Sequence, residues 1–160
     1  MVNWTAAYEA HASDLLRYLR RFVRTRERAE DLLQETFMRA LAAEIQPAAA
    51  DVRPWLYRIA SNLAISQLRR DARFRLWPDT ALRASAPNST IEELEHVRSA
   101  LRAIPADQAV ALVLTTHHGF SRSEAAAILS VKPETLKTRL ARGRLNFAAA
   151  YARIGRGLTR

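Results

Sequence analysis

The run "KTRLARGR" (137–144) gathers Lys137, Arg139, Arg142 and Arg144 around the hydroxyl of Thr138. Side chains of these types bind rather than react. Cations grip phosphates, and Arg or Lys held in the major groove of DNA reads guanine. A second group, Arg58, Asn62, Arg69 and Arg70, lies among Trp55, Tyr57, Phe74 and Trp77. Cations interleaved with aromatics suit unstacked bases, which need π surfaces as well as charge; Trp55 and Tyr57 also suit a core. A third group, Asp31, Gln34, Glu35 and Met38, shares one helical face, which taken alone reads as a solvated surface. Nothing comparable points to catalysis. His11, His96, His117 and His118 lack metal-ligand spacing, and adjacent His117 and His118 suit surface or helix-end positions. With no glycine-rich phosphate loop and no nucleophile–base constellation, the sequence predicts a non-enzymatic binder without metal or cofactor.

Cations that read a groove need a rigid carrier, and the flanking sequence supplies one. Ser121 and Glu124 form a capping box that starts a helix, with Ala125, Ile128 and Leu129 as its buried stripe. Ala126 lets another helix approach closely, and "SVKP" (130–133) ends the element. Pro133 suits the first turn of the next helix, and Glu134 sits at the favourable end of its dipole. There Leu136, Leu140, Gly143 and Phe147 recur at helical spacing as an inward face. Thr138, Ala141 and Arg142 point outward, Lys137 and Arg144 flank them, and Arg139 lies nearer the core edge. Gly143 costs about 1 kcal/mol against alanine in a helix interior, so a close packing contact is expected at it. By geometry alone the pair is either a helix-turn-helix DNA reader or a helical hairpin with a wet, basic side.

Upstream, helical periodicity runs through 5–24, 27–43 and 53–70, with Pro47 and Pro54 marking a short connection. Ala29, Leu33, Phe37 and Ala40, then Val52, Leu56, Ile59 and Leu63, form the inward stripes. The stretch "DARFRLWPDTALRASAPNST" keeps no period and reads as a linker. A helix restarts at "IEELEHVRSALRAI", with Thr90 as its expected N-cap and Glu93 as reciprocal partner, and Gly119 stops the next. The fold class expected is all-α: a helical domain over 1–72, a linker over 73–92 and a helix-turn-helix domain over 93–160.

Charge follows the same division. The net charge of +9 splits into +4 over residues 1–75, −3 over 76–97 and +8 over 98–160, as two polyanion-facing modules joined by a different segment would require. Cysteine is absent, which excludes disulfides and thiolate metal sites. "AVALVL" (109–114) is too short to span a bilayer, and the N-terminus has no cationic start followed by an apolar core. The expectation is a cytoplasmic protein that is not inserted in a membrane.

Two blocks in this order, "AEDLLQETFMRAL…WLYRIASNLAISQLRR" and "LRAIPADQAVALVL…GFSRSEAAAILSVKPETLKTRLARGR", resemble the extracytoplasmic-function sigma factors of bacterial RNA polymerase. The resemblance runs from about Tyr8 to Phe147. It implies a first domain that docks on the clamp helices of core RNA polymerase through Asp31, Gln34, Glu35 and Met38. It implies capture of a flipped base of the minus-ten promoter DNA element around Asn62 and Ser66, with Arg69 and Arg70 on the nearby backbone. It further implies that Lys137, Thr138, Arg139, Arg142 and Arg144 face the minus-thirty-five element, and that an anti-sigma factor is a partner. The chain departs from the family pattern at Ser66, often acidic, at "EIQPAAADVR", at Glu-Ala-Ala in the first reader helix and at Glu134. These changes bear on promoter choice and packing. A decoy for an anti-sigma factor needs no basic reader, and a stand-alone helix-turn-helix regulator needs no polymerase-docking face; both features are present in the sequence.

Overall fold

The computed structural model describes residues 1–74 and 89–157, which form seven α-helices and one 3-10 turn, with no strand among the described residues. The helices are α1 (Trp4–Arg20), α2 (Arg26–Ala42), α3 (Val52–Phe74), α4 (Ser89–Ala103), α5 (Ala106–Thr116), α6 (Arg122–Ile128) and α7 (Pro133–Gly157). Local chemistry sets their starts. The Asn3 side chain accepts the Ala6 N–H at 3.1 Å to open α1, and Thr25 Oγ1 accepts the Arg28 N–H at 3.2 Å to open α2. Ser121 and Glu124 form the expected reciprocal box ahead of α6, at 3.1 and 2.7 Å.

Two expected ends differ. The periodicity through residue 24 overshoots α1, which stops at Arg20. Its last carbonyls are taken up by tightened bonds, Arg21 N–H to Tyr18 and Phe22 N–H to Leu19, while the Arg20 guanidinium donates to the Val23 carbonyl at 2.7 Å. Thr90 does not cap α4, because the helix already includes Ser89 and Thr90 falls within its first turn. Trp77 lies outside the described residues.

Helices α1–α3 enclose one part of the core, built on Leu15, Leu19, Phe22, Leu32, Leu56 and Ala64. The Tyr18 hydroxyl is buried there and meets the Ser61 hydroxyl at 2.7 Å, so no polar atom of either side chain is stranded. Helices α4–α7 enclose the other part. The run Ala109–Leu114 is buried on every side because α5 packs on α7 behind it and on α3 in front. Each such leucine contributes about 1.5–3 kcal/mol by leaving water. At its far end α7 returns to α4, where Tyr151 stacks on Phe147 and sets its ring edge-on to His96.

The two parts meet along a seam between α3 and the α5–α6 connection. Tyr57 is fully buried, edge-on to Phe120 at 4.9 Å between ring centroids and tilted against Tyr18 at 5.1 Å. Its hydroxyl lies 3.0 Å from His118 Nδ1. The Arg53 guanidinium covers the Phe120 ring at 4.0 Å and donates to the His118 carbonyl at 2.6 Å, and Arg58 donates to the Ala127 carbonyl at 2.7 Å. His118 thus stands just past a helix end, within what its sequence context implied, but half-buried in the seam rather than free on the surface. Gly119, at φ +71°, turns the chain so that this ring enters the seam, while His117 caps α5 as a helix-end residue. Burial first, then the Arg21 charge, holds the His118 pKa down to about 4, so the ring is neutral in the closed seam.

Candidate nucleic-acid interface

The helix pair expected to read DNA is α6 and α7. Between them Ser130 takes a left-handed conformation (φ +54°), its N–H bonds the Ala127 carbonyl at 3.2 Å, and the Val131 N–H bonds Ala126 at 3.0 Å. This closes the end of α6 with a serine where glycine is the usual choice. Leu136, Leu140 and Gly143 face inward as their spacing requires, with Phe147 half-buried. A Cβ on Gly143 would stand 3.2 Å from Leu112 Cδ1 and 3.3 Å from Gln108 Cβ, so the glycine marks the close approach of α7 to α5. Asn146 adds a bond to Gln108 at 2.8 Å.

That seating fixes which side chains look outward. Lys137, Thr138, Arg142 and Arg144 are exposed on α7, Arg144 at the edge that borders Val97 and Leu101 of α4, and the Thr138 hydroxyl donates to the Glu134 carbonyl at 3.1 Å. Arg139 is set apart from them. It is half-buried with Nε 3.3 Å from Asp107 Oδ2, and so holds α7 to α5.

On α3, Asn62, Ser66, Arg69 and Arg70 are all exposed and line one open groove. Arg28, Glu35, Arg39 and Arg73 line it too. Beneath them Gln67 is buried and does the organising. Its Oε1 accepts from Arg28 Nε at 2.9 Å, and its amide donates to Asp71 at 2.8 Å. Arg70 also reaches Gln67, at 3.4 Å. Sequence reading missed Arg28 and Gln67, because they pair across neighbouring helices, and Arg39, whose pair with Glu35 within α2 reads as an ordinary solvated ion pair. Trp55 is half-buried against Trp4, in keeping with a core role.

The third group divides. Asp31, Gln34 and Met38 are exposed and share a surface groove with Tyr8, Phe37 and Leu41. Glu35 instead turns toward the α3 groove, paired with Arg39 at 3.0 Å. No group of three or more metal-ligating side chains is placed to hold an ion among the described residues.

Set beside known proteins, residues 7–74 match the family model for Sigma-70 region 2, and residues 94–146 match that for Sigma-70, region 4. The fold and its polar faces thus define a DNA-binding factor of transcription initiation. ECF RNA polymerase sigma factor SigE of Mycolicibacterium smegmatis is 31% identical over 153 residues, covering 90% of this chain, which spans 60% of that relative's length. ECF RNA polymerase sigma factor EcfG of Rhodopseudomonas palustris is 38% identical over 129 residues, covering 77% of this chain and 71% of its own. Among solved structures, the sigma factor RpoE of Bartonella quintana, in complex with the anti-sigma factor NepR, superposes with a TM-score of 0.66 at 26% identity. That alignment covers 92% of this chain and 96% of the other. CnrH, in complex with the cytosolic domain of CnrY, gives 0.69 at 27% identity, covering 91% and 85%. The chain belongs to the extracytoplasmic-function (ECF) sigma factors, alternative sigma factors that direct RNA polymerase to promoters.

Proposed function

We propose that residues 1–72 dock on core RNA polymerase and capture the minus-ten element, that residues 93–160 read the minus-thirty-five element, and that 73–92 join them. Asp31, Gln34 and Met38 supply the docking face, with Glu35 at its edge. Asn62 and Ser66 receive the extruded base, and Arg69 and Arg70 hold its backbone. Lys137, Thr138, Arg142 and Arg144 enter the major groove, while Arg139 positions their helix. The chain acts in the cytoplasm by binding alone, with no catalytic chemistry. Dividing the contacts in this way suits the substrate: duplex is read through its groove, whereas an extruded base costs a few kcal/mol of stacking that a prepared surface must offset.

The observation that carries this reading is the exposure, on one scaffold, of both the α3 groove and the outer side of α7. The closed seam adds that the free chain holds Arg58 against α6, so core polymerase has to open the chain before both elements are bound together. An anti-sigma partner is proposed on the ground that RpoE was solved in complex with the anti-sigma factor NepR, and CnrH in complex with the cytosolic domain of CnrY.

Run-off transcription with core polymerase on genomic DNA, with starts mapped, tests the reading. A single promoter consensus with elements near minus ten and minus thirty-five is expected, and tight sequence-specific duplex binding by the chain alone would replace it with a stand-alone regulator. Replacing Asp31 and Glu35 together should weaken binding to core polymerase without altering the melting temperature; unchanged affinity would remove these residues from the docking face.

A further inference from the structure

Five arginines line one groove between the two halves of the molecule: Arg17, Arg20 and Arg21 from the end of α1, Arg26 from the start of α2, and Arg98 from α4. Leu16 and Leu94 form its apolar floor. The groove encloses about 350 Å³, within the range of small-molecule sites. Behind it Arg102 is buried and shares Glu95 with Arg98, at 3.0 and 3.7 Å. One Arg102 nitrogen, Nη1, has no partner among the described residues.

The negative charge on hand does not balance these guanidiniums. Among the described residues their ion pairs use Asp14, Glu30 and Glu95, and Arg20 spends a donor on the Val23 carbonyl. Residues 75–88 carry Asp79 against Arg75 and Arg83, so that segment brings no surplus of negative charge. Arg17 and Arg20 complement the dipole at the end of α1. A helix dipole does not explain why Arg98, from the other half, is brought to face them. Burial, and after it Arg98, lowers the pKa of both Arg20 and Arg21. Like charges gathered at a seam from separate elements call for a multivalent counter-ion.

We propose that this groove binds a polyphosphate anion, gripped by guanidiniums from both halves of the chain, and that the bound anion favours the closed arrangement. Guanidinium forks match phosphate oxygens two at a time, and five guanidiniums offer more donors than the oxygens of one tetrahedral anion can take up. The phosphate chain can be inorganic or belong to a nucleotide whose base lies on Leu16 and Leu94.

Calorimetric titration of the full chain at constant ionic strength tests the site with three probes: sodium tripolyphosphate, a nucleoside triphosphate and orthophosphate. Saturable one-site binding of tripolyphosphate is expected, with orthophosphate weaker by roughly tenfold or more. A nucleoside triphosphate that binds tighter than tripolyphosphate names a nucleotide as the source; equal or weaker binding names the inorganic chain. Arg21→Gln and Arg98→Gln should each weaken tripolyphosphate by roughly tenfold, while Arg153→Gln on the exposed end of α7 leaves it unchanged. Arg98→Lys keeps the charge and loses the fork, so it provides a folded variant with intermediate affinity. Energy transfer between dyes on α2 and α7 should rise on adding the anion to the wild-type chain. Absence of saturation, equal response to all three probes, or equal loss in Arg153→Gln would overturn the proposal. No DNA or polymerase enters the assay, so its result is independent of the promoter assignments.

Discussion

The α3 groove and the outer side of α7 are both basic, yet their cations are held differently. In the groove Arg28 and Arg70 are tied to Gln67, and Arg39 to Glu35. On α7, among the described residues, no ion pair or hydrogen bond ties the side chains of Lys137, Arg142 or Arg144, whereas Arg139 is anchored to Asp107. The contrast matches what each face would meet under the proposed assignment. Duplex DNA brings its own rigid geometry, so long cations can adjust to it. An unpaired base brings none, and the protein must hold the receiving surface ready.

Breaking the scaffold common to both faces has the largest effect. Tyr57→Ala removes a ring shared by the core and the seam, and should cost about 3–5 kcal/mol of stability in a urea titration. A loss of under about 1 kcal/mol would show that the seam does not bear on stability. Next comes the test that separates the faces. Lys137→Ala or Arg142→Ala should reduce discrimination of minus-thirty-five sequences by about 1–3 kcal/mol, with melting unchanged, wherever the side chain makes a bidentate base contact. Gln67→Ala should lower both stability and open-complex yield, because it removes the bonds that hold Arg28 and Asp71, at a cost of about 1 kcal/mol. If Gln67→Ala left melting untouched, the groove would be no more prebuilt than the reader.

Smaller effects sharpen the picture. Ser130→Gly should stabilise the chain by about 1 kcal/mol by relieving a left-handed serine; a lower melting temperature would contradict it. The smallest effect is on pH. His118 is held neutral, with a pKa of about 4 in the seam against an ordinary value of 6.5. The closed form therefore takes up fewer protons than the open one. Seam stability should be complete above pH 6.5 and decline as pH falls toward 4, read as a loss of energy transfer between the halves. Arg17, Arg21 and His117 act with burial to keep the proton off, and Asp14 opposes them. His118→Gln should flatten the response; an unchanged slope would assign it to other groups.

What was legible in the sequence was local. The Ser121–Glu124 box, Pro133 at the start of α7 and the place of Gly143 on the inward stripe each follow from residues within a few turns of one another, although the Leu112 that Gly143 meets lies on α5. Pairings across the chain were not legible: nothing near Arg53 or Tyr57 announces His118, and nothing near Arg139 announces Asp107. Helical spacing put Asp31, Gln34, Glu35 and Met38 on one face, but that face is wide enough for Glu35 to serve a different groove. At Thr90 a local cap signal lost to a helix already under way one residue earlier.

The continuity of α7 has a mechanical consequence. Its 25 residues make a rod about 37 Å long with no joint between the cations near Pro133 and the ring of Tyr151. Between those ends the close approach of Gly143 to Leu112 and the Arg139–Asp107 pair hold the rod to α5, so a displacement where Tyr151 leans on α4 swings the other end about that contact. The far end of the helix is thus a handle by which α4 can tilt the cations at the other.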